Sequence, residues 1–191
     1  MDIQRRFIRS FVCVKPPRDV GEAISSWIAG LGCFGNYRWV SREQIHITLR
    51  FLGEAEPSLA QKMDTALSFI GGLDEFDVAL AGSGGFPNMS RPRALWLAVA
   101  DGAGDLSKLA SRVEQAARSS GFAPNPQSGR KFNAHLTIAR ARSDAPPLED
   151  LVRELKSAPS FSWRCRSFLL MKSTLTPEGA IHTPLREYPL G

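Results

Sequence analysis

The chain has 191 residues and a mass of 21.0 kDa, with 43% hydrophobic and 23% charged residues. That is enough for a real core and excludes a disordered polymer. A formal net charge of +5, carried mostly by arginine, admits an RNA or nucleotide partner because guanidinium groups suit phosphate, although a genome rich in Arg codons gives the same excess. Three distant cysteines, Cys13, Cys33 and Cys165, form no CxxC pair, which excludes a disulfide scaffold and a cysteine zinc site and points to thiols in a reducing compartment.

At the start, Arg5, Arg6 and Arg9 flank an apolar run too short for a secretory signal, and no stretch is long enough to span a membrane. A cytoplasmic location is the default. Residues 10–14 predict a strand, ended by Pro16-Pro17. Residues 19–30 predict a helix, with Val20, Ala23, Ile24, Trp27 and Ile28 at helical spacing and Trp27 read as core. A short segment at 37–40 and a strand at 44–51 follow. Pro57 opens a second helix carrying Leu59, Met63, Leu67 and Ile70, stopped by Gly71-Gly72. Residues 76–81 predict a strand and 82–93, rich in Gly, Pro and Ser, a loop; without a Gly-Lys-Ser/Thr ending it is no P-loop. The order then repeats. A strand at 95–100 leads to a helix at 105–120 stopped by Gly121, and a loop with Pro124, Pro126 and Gly129 leads to a strand beginning near His135. Pro146-Pro147 opens a helix with Leu148, Leu151, Val152 and Leu155. Residues 161–173 predict one strand, Pro177-Glu178-Gly179 a turn, and 181–188 the last strand.

Each half therefore reads strand, helix, strand, helix, strand, which argues for an internal duplication with pseudo-two-fold packing. The middle strands carry the same tetrapeptide pattern, His46-Ile47-Thr48-Leu49 and His135-Leu136-Thr137-Ile138, using two of the three histidines in the chain. Alternation puts His and Thr on one strand face and the aliphatic pair on the other. A two-fold axis between the halves brings both pairs to one cleft. Two imidazoles near pH 7 suit general acid and base roles, and two hydroxyls suit the oxygens of a phosphate. A metal site of His46, His135 and His182 is a weaker alternative, because no carboxylate lies at ligand spacing. His182, near the last hairpin, reads as surface or structural.

The chain resembles the 2H phosphoesterase superfamily and, within it, the RNA 2′,3′-cyclic phosphodiesterases, also called 2′-5′ RNA ligases. The resemblance rests on Ser10-Phe11-Val12-Cys13-Val14, Arg38-Trp39-Val40, the block His46 to Gly53, Gly85-Phe86-Pro87, Pro92 to Leu97, the block Phe132 to Arg140, Ser173-Thr174-Leu175 with Gly179, and Tyr188-Pro189-Leu190. Asn133-Ala134 departs from the Arg-Pro or Lys-Pro common in the family. The resemblance implies an α+β, bilobal, pseudo-two-fold duplicated fold of two mainly antiparallel sheets, with helices outside and a central cleft, residues 1–191 forming one domain. It implies metal-independent, cofactor-free hydrolysis of RNA 2′,3′-cyclic phosphate ends or cyclic nucleotides to 2′-phosphomonoesters. His46 is the expected acid and His135 the expected base, with Thr48 and Thr137 on the phosphate. Arg140 matches a phosphate-binding arginine, yet regular strand parity turns it away from His135. Arg50 shares the parity of His46 and Thr48, which directs it at the cleft. Phe11 is a candidate to stack on a base and equally a core residue. A monomer without membrane or obligate protein partner is the default. The alternatives are 2′-5′ ligation at the same site and non-catalytic RNA or nucleotide binding.

Overall fold

The computed structural model describes residues 7–70, 72–126, 132–143, 146–177 and 179–191; the expectations touching Arg5, Arg6, Gly71, Gly129 and Glu178 lie outside them. The chain order is β1 (Ile8–Val14), α1 (Arg18–Gly30), β2 (Tyr37–Trp39), a 3-10 turn (Arg42–Gln44), β3 (Ile47–Ala55), α2 (Pro57–Ser68), β4 (Phe76–Phe86), β5 (Ala94–Asp101), α3 (Ala103–Ser120), β6 (His135–Ala141), α4 (Glu149–Lys156), β7 (Phe161–Cys165), β8 (Ser167–Thr176) and β9 (Gly179–Pro189). Local chemistry explains the ends. Pro57 occupies the first turn of α2, where its missing N–H is harmless. Gly121 closes α3 with φ of 100°, a left-handed conformation that glycine adopts without strain. Leu148, expected inside the fourth helix, instead precedes it as an exposed residue, while Leu151 and Leu155 are buried as their spacing requires.

The strands form one antiparallel sheet in the order β7-β4-β5-β6-β3-β1-β8-β9, with β2 also paired to β6. The expected two sheets are therefore two halves of a curled sheet, joined through the single pair Ile47 and Leu136 between β3 and β6. The order is symmetric about that junction. In each half the strand that opens a repeat (β1, β5) flanks its own motif strand (β3, β6). The strand that closes each repeat pairs with the other repeat: β4 with β5, and β8 with β1. This exchange interlocks the two halves of the chain.

Two expectations change. The predicted strand 161–173 divides at Arg166: Phe161–Cys165 pairs with β4, and Ser167–Thr176 pairs with β1 toward the opposite end of the sheet. The slip is visible in burial, which falls on Phe161, Trp163 and Cys165 and then on Phe168 and Leu170. The predicted loop at 82–93 is strand as far as Phe86, because Gly84 and Gly85 leave room that side chains would fill. A methyl group on Gly84 would overlap the Trp96 ring, so a composition that suggests a loop here serves close packing instead.

The main core lies between the helices and one face of the sheet, with Ile24, Ile28, Met63, Leu67, Leu106, Leu109 and Val113 against Val12, Val14, Ile47, Leu97 and Leu136. Alternation sends Phe11 and Cys13 to the other, concave face, where they form a small separate cluster with Met171 and Leu169. The tip of the β8–β9 hairpin returns to the start of the motif strand: Gln44 Nε2 donates to the Ala180 carbonyl at 2.7 Å, and Arg38 to the Pro177 carbonyl at 3.3 Å. Among the described residues no helix is long and apolar enough to cross a membrane.

Candidate active site

The junction of the two halves is also the meeting point of the two tetrapeptides. Ile47 and Leu136 are direct cross-strand partners and both are fully buried on the helix side. Counting one residue outward in this antiparallel register sets His46 opposite Thr137 and Thr48 opposite His135. Directly opposed residues lie about 5 Å apart at Cα and share a face. Each imidazole thus faces the hydroxyl of the other motif, and all four side chains lie on the concave face.

Both motif strands then bulge at the same place. In β3, Thr48 pairs with Cys13 and Arg50 with Val12, leaving Leu49 as the extra residue. In β6, Thr137 pairs with Trp96 and Ala139 with Leu95, leaving Ile138 extra. A bulge shifts the side-chain alternation by one. Burial records the shift: Leu49 and Arg50 are both buried, as are Ile138 and Ala139, while Phe51 and Arg140 emerge. Arg140 is thereby on the parity of the concave face, and its charge acts on both His46 and His135. The strand irregularity that regular parity demanded for Arg140 is this bulge.

The histidine environments match. His46 Nδ1 lies 2.6 Å from the Gln44 carbonyl, and His135 Nδ1 lies 2.7 Å from the Asn133 carbonyl, in each case the residue two before. A carbonyl only accepts, so Nδ1 carries the proton and Nε2 is the nitrogen left for chemistry. His46 packs on Phe11 with ring centroids 4.8 Å apart; His135 meets Phe86 edge-on at 4.8 Å and Trp96 at 6.1 Å. Burial pushes the His46 imidazole down to about 4, against the opposing pull of the Gln44 bond and with further lowering from His182, Lys15 and Arg140. Burial also lowers His135, helped by Arg140 and opposed by the Asn133 bond. His182 is lowered by burial and by Lys15.

These lowered values make stability depend on pH. Between the folded value and the unfolded value near 6.5, the unfolded chain binds more protons, so folding is favoured as pH rises and weakened as pH falls. For His46 the window runs from pH 6.5 down to about 4. Denaturant melts at pH 7 and pH 4.5 are expected to show a loss of stability toward acid. In His46→Phe that loss should shrink by on the order of 2 kcal/mol.

The family model described as the 2′-5′ RNA ligase superfamily matches residues 16–176. The chain belongs to the 2′-5′ RNA ligase superfamily. It is 32% identical to an RNA 2′,3′-cyclic phosphodiesterase of Archaeoglobus fulgidus, over 95% of this chain and 99% of that protein. It is 32% identical to one of Aquifex aeolicus over the whole of both chains. Among solved structures, TT0787 of Thermus thermophilus superposes with a TM-score of 0.78 at 25% identity, covering 95% of this chain and 97% of that one. Escherichia coli LigT complexed with 3′-AMP superposes with a TM-score of 0.77 at 25% identity, covering 97% and 99%.

Within this superfamily fold, Arg50 and His182 differ from their sequence expectation, and Phe11 takes the core alternative of its two readings. Arg50 does not face the cleft. The Leu49 bulge turns it to the helix side, where it is 6% exposed, with Nε 2.6 Å from the Glu114 carboxylate on α3 and its other nitrogens donating to the Phe51 and Ala123 carbonyls. Phe11 is 2% exposed and lies beneath His46, Phe51 and His182, so it is the floor under an imidazole and offers no open face to a base. His182 is the residue that sequence reasoning missed. Its ring stands edge-on to His46 at 5.3 Å and to Phe11 at 4.8 Å. The pairing of His182 with Ser173 follows from the last hairpin, but its reach to His46 depends on how that hairpin curls. Among the described residues no group of three His, Cys, Asp or Glu side chains is arranged to hold a metal.

Proposed function

We propose that this protein hydrolyses RNA 2′,3′-cyclic phosphate ends to 2′-phosphomonoesters by a two-histidine acid–base mechanism. With relatives of that activity matching nearly its whole length, it is an RNA 2′,3′-cyclic phosphodiesterase. The observation that carries it is the interdigitated quartet about the Ile47–Leu136 pair, in which each imidazole faces the other motif's threonine. A cyclic phosphate seated there has a ring nitrogen available on each side, with hydroxyls and the Arg140 guanidinium for its non-bridging oxygens. One imidazole takes a proton from water as its oxygen bonds to phosphorus. The P–O3′ bond breaks and the other imidazole delivers a proton to O3′. Thr48, Thr137 and Arg140 stabilise the charge that gathers on phosphorus-bound oxygen.

The surroundings favour a division of labour. Two cations, Lys15 and Arg140, together with the neighbouring His182 ring, oppose a proton on His46, whereas Arg140 is the one charged group that opposes a proton on His135. In this reading His135 takes a proton more readily than His46 and is the acid, and His46 is the base, the reverse of the roles taken from sequence. The quartet draws one His-x-Thr pair from each half of the chain, which supports reading residues 1–191 as a single two-lobed domain.

The test is incubation with adenosine 2′,3′-cyclic phosphate, with products resolved by phosphorus NMR. Adenosine 2′-phosphate is the expected product, at a rate EDTA does not change. A 3′-phosphate product would overturn the mechanism. Inhibition by EDTA that zinc reverses would do the same, and binding without turnover would leave a nucleotide-binding protein.

A further inference from the structure

Both motif imidazoles are tied through Nδ1 to the carbonyl two residues back, yet what stands behind the two carbonyls differs. Gln44 is held at its backbone and at both ends of its side chain. Its N–H donates to the Ser41 carbonyl at 3.0 Å, its Oε1 accepts from the Ser41 N–H at 3.1 Å, and its Nε2 donates to the Ala180 carbonyl on β9 at 2.7 Å. Asn133, which supplies the matching carbonyl to His135, is exposed, and among the described residues its side chain has no hydrogen-bond partner.

The chemistry of position 44 is specific. The Ser41 N–H needs an acceptor and the Ala180 carbonyl needs a donor. Among straight-chain residues of this length at neutral pH, only a carboxamide offers both, and the two bonds fix which end of the amide is which. The last hairpin therefore grips the first motif at two points. The Ala180 carbonyl takes the Gln44 amide, and two residues further on the His182 ring stands 5.3 Å from the His46 ring. The place of the Gln44 carbonyl matters because its bond selects the imidazole tautomer. With the proton on Nδ1, Nε2 keeps its lone pair. Without that bond the ring is free to carry its proton on Nε2, and that tautomer cannot accept a proton there. A hydrogen bond weakens steeply as its angle falls, so a small drift of the carbonyl is enough.

We propose that Gln44 is a positioning residue for His46: its amide, braced between Ser41 and Ala180, holds the carbonyl that fixes the His46 tautomer, so that the closing hairpin sets the competence of one histidine and not of the other. The inference rests on the phosphodiesterase reading and adds a support to its site.

The experiment compares wild type with Gln44→Glu, which keeps the size and the acceptor but loses the donor, and with Gln44→Met, which loses both. Long-range nitrogen–proton correlation of the imidazoles near neutral pH reads the tautomer of each ring. In wild type His46 and His135 should both carry the proton on Nδ1. In both variants His46 should pass to a mixture of tautomers while His135 keeps its pattern, which makes the second ring an internal control for folding. On adenosine 2′,3′-cyclic phosphate, kcat should fall by about 10- to 100-fold. KM should change by less than about two-fold, since the loss is confined to the chemical step. A raised KM at unchanged kcat, an unaltered His46 tautomer, or an equal change in both rings overturns the proposal and leaves the phosphodiesterase reading standing. If wild type turns over no cyclic nucleotide, that reading fails, and the His46 tautomer in the two variants still decides whether Gln44 holds the ring.

Discussion

Replacing either His46 or His135 with alanine is expected to lower kcat/KM on a 2′,3′-cyclic nucleotide by a factor of about 10² to 10⁴. Because the two rings act on one reaction, removing both should cost little more than removing one. The replacements should differ with leaving group. A substrate carrying sulfur in place of the 3′ oxygen expels a thiolate that needs no proton. His135→Ala should recover most of its loss on that substrate, and His46→Ala should recover none, since water still lacks its base. Recovery by His46→Ala instead would restore the acid role to His46. Wild-type turnover by either folded variant would remove the histidines from the chemistry altogether. The parallel ring environments, each Nδ1 tied to the carbonyl two residues back, make the variants comparable, because neither ring carries a structural bond the other lacks.

Arg50→Ala should be the most damaging substitution for stability among the residues discussed, at about 3–5 kcal/mol in denaturant melts. Its guanidinium is the buried partner of Glu114, which also accepts from Arg118 at 2.8 Å and from the Asn125 backbone at 3.1 Å. Truncation leaves the carboxylate short of a charge and the Ala123 carbonyl without its donor. Arg50→Met, which keeps the stem, should also destabilise, since the charge is what Glu114 loses. The same variants separate two roles for Arg50. With its side chain on α3, the folded fraction should retain KM and kcat near wild type. If KM instead rises by about 10-fold or more at full folding, Arg50 reaches phosphate after all.

Much of this site was legible from residue order. The repeated His-x-Thr frame fixed which four side chains share a face, and β3 and β6 set that face toward one cleft because Ile47 and Leu136 belong to the core. Helix positions followed from spacing and from Pro57 and Gly121. What alternation alone does not show is where it slips. Leu49 and Ile138 look like ordinary strand residues, yet their bulges turn Arg50 inward and Arg140 outward. Arg166 looks like the middle of a strand and is instead the point where the chain leaves one end of the sheet for the other. Gly84 and Gly85 suggest a loop, whereas their missing side chains admit Trp96 and Pro92. His182 reaches the site through sheet curvature, a property of many strands together that no local window contains.

The exchange of closing strands constrains the order of events during synthesis. On the ribosome, β1 and β3 emerge early, but β1 waits for β8, which is made only after both motif strands. Until then Phe11 and Cys13 lack Met171 as a neighbour, and one strand edge stays open to solvent. Such high contact order favours slow, late folding of the nascent chain and exposes it to chaperones and to aggregation in the interval. The floor beneath His46 is complete only once the β8–β9 hairpin has brought Met171 and His182 onto Phe11.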